Sequence, residues 1–573
     1  MLLVAATVTR WLLARDGYFW QDDFAYLEIV KGGLSPEVLL RDYNDHVMPG
    51  TFLLTAVVSA LGSSWGIALA INLALQVVAG LLLLWVIHLL FPRTLMAPVV
   101  YAAALFTPLT LTGTYWFAYG LQLWPLQASL LAGIGCFVRW RQTAQVRYAV
   151  GMICAYVCGL FFWEKALLFV PVLAGFALLV WERDLPIRAR VSRARSELWV
   201  WALLLGVTVA YLVFYLARTE TAGSAGGERS VSVLGFLNTA VLRTLLPGLL
   251  GGPWTAKGSI YTVGADPRAV SIVLTCLVWL AIVASSLRLR GKVAGQAWLW
   301  TLGCLALDYA LLVAFRPDAQ TLGRDSRYIA DAVPLVALGV LAAFHHTPVR
   351  DASPATVQPT RVRLGIGLAA VVALVASAMT TTQALGDGLR HTYSRDYVRA
   401  LTNTITQDPS RPLLDRAAPH PAVFLGRQSA LASAVGVRGA WPQTAQDMNM
   451  FDAIGRIGPV TIPRPEFTRQ GPQSGCGWLV SPGSPVVITD VPPLRAGQER
   501  VLQVGYLSQR VHDLVIVVDG GSRQPVPTYD VLGVITTTIS SPARKIEVRV
   551  DNPGAAVCVA SITLGRPVAK IEP

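Results

Sequence analysis

Asp16, Asp22, Asp23, Glu28, Glu37, Asp42 and Asp45 crowd a stretch whose only cations are Arg15, Lys31 and Arg41. The whole chain carries 47 Lys+Arg against 34 Asp+Glu, so residues 15–48 invert its charge balance. Tyr18-Phe19-Trp20-Gln21-Asp22-Asp23-Phe24-Ala25-Tyr26 sets two aspartates among aromatic rings, and Asp42-Tyr43-Asn44-Asp45-His46-Val47-Met48-Pro49 follows. A carboxylate partly stripped of water holds its proton more tightly. Such a group can take a proton from an attacking hydroxyl, so Asp22 and Asp23 are the candidate bases. A structural reading stands beside this one: Asp22 as N-cap of a helix over 23–31 closed by Gly32-Gly33, with Ser35-Pro36-Glu37 opening the next. Neighbouring side chains on a helix diverge by about 100°, so one aspartate can cap while the other reacts. Tyr26, Asp45 and His46 are candidate pocket residues, His46 being alternatively a second base or a plain structural hydrogen-bonder.

Cations follow elsewhere. Gly323-Arg324-Asp325-Ser326-Arg327-Tyr328 places Arg324 and Arg327 three apart, on a similar face if helical, and arginine's planar fork suits phosphate. The alternative is a pair snorkelling to lipid headgroups. Glu164-Lys165 interrupts a long apolar run and is either a hairpin turn or a functional pair that helps bind substrate. Tyr115, Trp116, Phe117, Tyr119 and Trp124 read mainly as interface anchors, with stacking on a sugar ring the alternative for one or two. Arg243 lies on a segment, 231–250, that could be amphipathic. Asp22 and Asp23 could hold Mg or Mn through oxygen, although no spacing decides it. Walker loops, zinc spacings and nucleophile elbows are absent from the sequence.

These groups must be held by a chain of 573 residues that is 54% hydrophobic and 14% charged, with a mean hydropathy of +0.51. Soluble domains run nearer a quarter charged, so lipid must solvate much of this one. The composition excludes fibrous, disordered and small disulfide-scaffold classes. Its net charge of +13 reads as a topology signal rather than a nucleic-acid footprint. The excess of arginine and alanine points to a bacterial source.

Apolar runs at 1–14, 65–91, 96–113, 121–138, 148–163, 166–181, 198–217, 270–287, 296–315, 329–345 and 364–383 predict about eleven helices. The first is short, carries Arg10, and reads as a span whose natural start lies upstream. Basic residues fall in every second connection: Arg139, Arg141 and Arg147; Arg183, Arg188, Arg190, Arg193 and Arg195; Arg288, Arg290 and Lys292; Arg350, Arg361 and Arg363. Those loops should be cytoplasmic. The connections 15–48, 114–120, 164–165, 218–269 and 316–328, and everything after 384, should face outside. Residues 50–62 are too short to cross and are placed in the outer interface.

Beyond 383 the composition turns polar. Tyr397, Leu401 and Ile405 predict a helix over 393–406. From 475 short β-branched runs alternate with turns, at 486–489, 501–507, 514–518, 531–538, 546–550 and 557–562, which predicts a β-sandwich. The expected plan is a polytopic helical membrane domain over 1–383, a mixed connecting region over 384–470 and a sandwich of carbohydrate-binding type over 471–573. Cys136, Cys154, Cys158, Cys276 and Cys304 lie in spans. Cys476 and Cys558 share the tail and should form one disulfide.

An acidic pair in the first outer loop, an interfacial helix after it, about eleven spans and an outer sandwich resemble the GT-C superfamily of membrane glycosyltransferases. Gln21-Asp22-Asp23-Phe24 with Tyr43-Asn44-Asp45-His46-Val47-Met48-Pro49 is similar to actinobacterial members, and the resemblance covers about residues 1–383. It implies a sugar donor carried on polyprenyl phosphate, transfer to a glycan, lipid or protein acceptor of the cell envelope, and a bacterial cytoplasmic-membrane location. Inversion would use one carboxylate as base and positive charge at the departing phosphate. The runner-up is a transporter or lipid flippase, for which Asp308 inside 296–315 is the feature to watch. A non-catalytic envelope scaffold would leave the acidic loop without a reason.

Overall fold

The computed structural model describes the chain except for residues 93, 184, 219–231, 259–262, 316–321, 346–360, 420–425, 492–498, 523–524, 530–531, 540–543 and 572–573. Arg350 and parts of the 218–269 and 316–328 connections therefore lie outside the described residues, as does the expected strand start at 531. Two compact units divide the chain, Met1–His391 and Thr392–Pro573.

In the first unit every predicted run is helical: Leu2–Ala14, Trp65–Leu90, Met96–Phe106, Phe117–Thr143, Val146–Phe162, Phe169–Phe176 with a π-helical continuation to Trp181, Leu198–Arg218, Ala269–Arg290, Lys292–Phe315, Val333–Phe344 and Arg361–Leu389. Among the described residues seven helical segments are long and apolar enough to cross a membrane, and six further apolar helices are shorter. Phe137, Phe169, Phe176, Trp300 and Leu338 meet in a shared interior. Outward-facing Leu203, Leu205, Val209, Leu274, Leu277 and Leu280 stay exposed, which only lipid tolerates on this scale.

The alternation of basic and acidic connections becomes two ends of one bundle. At the basic end Arg141 pairs with Glu182 (3.1 Å) and Glu197 (2.5 Å), Arg183 donates to the carbonyls of Ala342 and His345, and Arg290 donates to that of Phe344. Loops far apart in sequence thus share partners there. The acidic loop, the aromatic connection, Glu164-Lys165 and residues 323–328 gather similarly at the other end, through contacts given below.

The second unit begins with the helix Thr392–Gln407, burying Tyr397, Leu401 and Ile405 as their spacing requires. Beside a small three-stranded sheet of Asn449–Phe451, Ile457–Thr461 and Val568–Ala569, two larger antiparallel sheets follow. One orders Val486–Ile488, Ile546–Val550, Asp513–Val518 and Gly521–Ser522, with Val526–Pro527 also on Asp513–Val518. The other orders Thr444–Gln446, Leu532–Ile539, Arg500–Leu507, Val557–Gly565 and Pro465–Gln470, with Trp478–Val480 also on Val557–Gly565. Leu502, Val504, Ile535 and Ile562 face Ile516, Ile546 and Val548 in one core, the arrangement of a sandwich. Ile546, Val548 and Val550 are buried while Glu547 and Arg549 are not, matching a period of two.

Two expected boundaries move. The helix Arg361–Leu389 runs unbroken through 383/384, so the division falls after His391. Strands Thr444–Gln446 and Pro465–Gln470 join the larger sheet, so no break separates 470 from 471. Both elements lie in polar stretches whose pairing partners are distant in sequence, and composition does not reveal that.

Cys476 and Cys558 are joined by a disulfide across a separation of 82 residues. Loop closure of that length removes about 4 kcal/mol of unfolded-chain entropy. Cys558→Ser in the full chain should therefore unfold the C-terminal unit at lower denaturant concentration, as read by protease sensitivity.

Candidate functional site

The helix Asp22–Val30 is entered through Gln21, held at φ 43°, a left-handed conformation that few non-glycine residues adopt. Both aspartates sit in its first turn, where the helix dipole favours negative charge. They then diverge. Asp23 is fully buried: one oxygen accepts from the Trp20 N–H at 2.9 Å, the other from the Ala118 N–H at 2.7 Å. It pins the acidic loop to the start of the helix Phe117–Thr143. Burial drives its proton affinity well up, and the backbone hydrogen bonds oppose that.

Asp22 turns the other way and accepts from the Tyr43 hydroxyl at 2.8 Å. Burial raises its proton affinity too, opposed by that hydrogen bond, by the positive charge of Arg327 and by His46 when that imidazole is protonated. The sequence offered both aspartates as bases and put the cap on Asp22. In the structure neither aspartate caps the helix, whose N-cap is Gln21 without a side-chain cap; Asp23 reaches back to Trp20, and Asp22 is the carboxylate with an oxygen outside these bonds.

Tyr43 and His46 face each other across a short hairpin, Asp42–Tyr43 with His46–Val47. Its turn residues Asn44 and Asp45 have φ 54° and 65°, the pair of left-handed conformations that a two-residue hairpin needs. That explains Asp45, whose carbonyl also accepts from the Tyr215 hydroxyl at 2.6 Å; it shapes the loop rather than lining a pocket. Tyr26 is buried as a wall, edge-on to Tyr43 and Phe52, with its hydroxyl on the Met48 sulfur. His46 Nδ1 lies 2.7 Å from Glu164 Oε1.

Lys165 extends into the bundle, its Nζ 2.5 Å from Asp308 and 2.7 Å from Asp331. Two buried carboxylates already more than balance one ammonium, so the expectation that Lys165 helps bind a donor phosphate gives way to a tie between three segments. Asp308 was visible in the sequence as an acid inside a span. Its partner could not be read there.

Arg324 and Arg327 also part company. Ser326–Tyr328 is a single 3₁₀ turn rather than the end of a regular helix, so a spacing of three does not align them. Arg327 lies 2.9 Å from Asp325 and stacks over Trp116 and Tyr328, at 4.9 and 4.6 Å from their ring centres. Burial alone would weaken its hold on the proton, but Asp325, Tyr328 and Asp22 outweigh that and keep it charged. The Tyr119 hydroxyl donates to its carbonyl. Arg324 instead faces Asp266 at 3.8 Å, a carboxylate that Arg243 approaches at 3.6 Å. Gly323 permits this placement, since a Cβ there would lie 2.5 Å from Thr239 Oγ1. Tyr115, Trp116, Phe117, Tyr119 and Trp124 are all buried, so they pack beneath the site and are not interface anchors. Asp325, between the two arginines, was legible as partly neutralising them; nothing in the sequence marked Tyr43 or Asp266 as partners.

Among the described residues no group of three or more His, Cys, Asp or Glu is placed to hold a metal ion. Asp23 spends both its oxygens on backbone N–H groups.

No family model and no curated protein matches the chain. Among solved structures it is similar to ArnT from Cupriavidus metallidurans bound to undecaprenyl phosphate, at 16% identity and TM-score 0.45 over 78% of this chain and 92% of that one. The apo state of the same protein gives 16% and 0.41 over the same shares. The arabinosyltransferase EmbB from Mycobacterium smegmatis gives 13% and 0.36 over 99% of this chain and 64% of that one. Those scores carry no argument about the site, which stands on the side chains described above.

Proposed function

We propose that this chain is a membrane glycosyltransferase that moves a sugar from a polyprenyl-phosphate donor to a cell-envelope acceptor at the non-cytoplasmic face. The observation that carries the reading is Asp22: a carboxylate of raised proton affinity, held by Tyr43, within electrostatic reach of the partly buried cation Arg327. Asp22 takes the acceptor hydroxyl's proton as that oxygen bonds to the sugar's anomeric carbon. The bond from that carbon to phosphate oxygen breaks with inversion, and its electron pair leaves on the phosphate. Arg327 supplies positive charge for the departing group.

The gathering of basic loops at the opposite end supports placing the acidic end outside. By the same parity the C-terminal unit lies on the outer side, where a sandwich could hold a glycan; that last role rests on fold analogy. A transporter would favour ionisable groups free to exchange partners at mid-membrane. Asp308, the residue that reading needs, is instead locked to Lys165.

The test is transfer of radiolabelled sugar from polyprenyl-phosphate donors by the full chain in lipid nanodiscs. Arg327→Lys keeps the charge but loses the planar stack and fork. It should lower kcat/KM for the donor about tenfold, equivalent to about 1.4 kcal/mol. Equal transfer by wild type, Arg327→Lys and Asp22→Asn would sink the reading.

A further inference from the structure

The hairpin Asp42–Val47 joins two proton-handling pairs. Tyr43 and His46 are cross-strand partners, so their side chains leave one face of the ribbon. From that face the Tyr43 hydroxyl reaches Asp22 at 2.8 Å and His46 Nδ1 meets Glu164 at 2.7 Å. His46 and Glu164 are only partly buried, with side chains 23% and 19% exposed. The helix Leu198–Arg218 backs the ribbon, since Tyr215 donates to the Asp45 carbonyl and Tyr211 lies within electrostatic reach of Glu164. Nearby, Lys165 turns to Asp308 and Asp331 and Asp23 to backbone N–H groups, while Arg327 pairs with Asp325 and stays within electrostatic reach of Asp22. An imidazole held by a carboxylate, on the ribbon face whose Tyr43 holds a second, partly buried base, is the arrangement that moves protons between a site and solvent.

We propose that His46, oriented by Glu164, is the proton outlet of Asp22, a second proton-transfer residue one step nearer the outer water. This rests on the glycosyltransferase reading. After transfer Asp22 holds the proton taken from the acceptor hydroxyl, and the carrier phosphate holds the electron pair of the broken bond. Asp22 then gives that proton, directly or through one water, to neutral His46. The resulting imidazolium is stabilised by the Glu164 carboxylate at Nδ1–H and releases the proton to solvent, restoring Asp22 as a carboxylate. A burial-raised proton affinity makes Asp22 a good acceptor and a slow donor to water, which is why an outlet matters.

The measurement is steady-state sugar transfer by the full chain in nanodiscs, for wild type, His46→Ala and His46→Gln, with graded imidazole. Loss of the outlet should lower kcat of both variants by roughly tenfold or more, less than the hundredfold and upward of a group acting in the transition state, with donor KM little changed. Imidazole should restore His46→Ala saturably and leave Asp22→Asn inactive. Where His46→Ala does not fold, His46→Gln keeps a hydrogen bond to Glu164, and its kcat should fall further in D2O than that of wild type. An active wild type whose two His46 variants turn over as fast as it does overturns the inference. So does a folded His46→Ala that imidazole fails to rescue, or, where it does not fold, a His46→Gln with no enlarged D2O effect. A wild type that transfers no sugar from any polyprenyl-phosphate donor overturns the glycosyltransferase reading first, and the outlet with it.

Discussion

Asp22→Asn should cut kcat for sugar transfer by roughly a hundred- to ten-thousand-fold without lowering the temperature at which the chain unfolds. The asparagine oxygen still accepts from Tyr43, so the local geometry survives, but the amide cannot take a proton. Stability follows from the direction of the shift. Asp22 has a raised proton affinity in the fold, so its contribution is full below the unfolded carboxylate range and is lost as pH rises through the folded value. Near neutral pH the partly buried charge works against folding, and asparagine removes it; melting should be unchanged or slightly higher. Activity has the opposite dependence. The carboxylate form is lost as pH falls, so the acid limb of kcat/KM should lie above the usual carboxylate range. Asp23→Ala should behave differently, leaving the N–H groups of Trp20 and Ala118 without their acceptor and costing about 3 kcal/mol. Thermal melting beside transfer assays on both variants separates the roles. A stable, active Asp22→Asn, or an Asp23→Ala that melts like wild type, would reverse the assignment.

Lys165→Met should destabilise the membrane unit by about 3–5 kcal/mol, because removing one partner leaves buried charge uncompensated. Asp308 and Asp331 would then face each other across the vacated position, one from the helix Lys292–Phe315 and one from the turn Ala330–Ala332. The loss should reach the site, since Lys165 follows Glu164, which holds His46, and Asp331 follows the Arg327 segment closely. Asp308→Asn added to Lys165→Met should recover part of the stability by removing one of the two stranded charges. Heat-induced aggregation in nanodiscs reads this directly. If Lys165 were instead a donor-phosphate ligand, Lys165→Met would melt normally and show only a raised donor KM.

How much of this was legible in the chain varies with distance. The membrane helices, the helix burying Tyr397, Leu401 and Ile405, the strand Ile546–Val550 and the disulfide all follow from patterns that repeat within an element or from a simple count of cysteines. The cap at Ser35 is local as well, its hydroxyl accepting from the Val38 N–H at 3.3 Å. The candidate site was legible as a set of residue types: acid in the first loop, cations at 324–327, an ion pair at 164–165. Their pairings were not. Adjacent aspartates are equivalent until the Ala118 N–H arrives from another helix and claims Asp23. Two arginines three apart share a face only on a regular helix, and a single 3₁₀ turn sends them to different carboxylates.

By itself, then, the sequence determined that this chain needs lipid as a solvent, where its basic connections fall, and which short strands close its tail, because hydropathy and periodicity are properties of neighbouring residues. Only the tertiary structure decided that Asp22 rather than Asp23 keeps an oxygen for chemistry, that Lys165 is spent on Asp308 and Asp331, and that Glu164 holds His46. Charge pairing in a low-dielectric interior depends on which distant segments come within about 3–4 Å, and no local pattern encodes that distance.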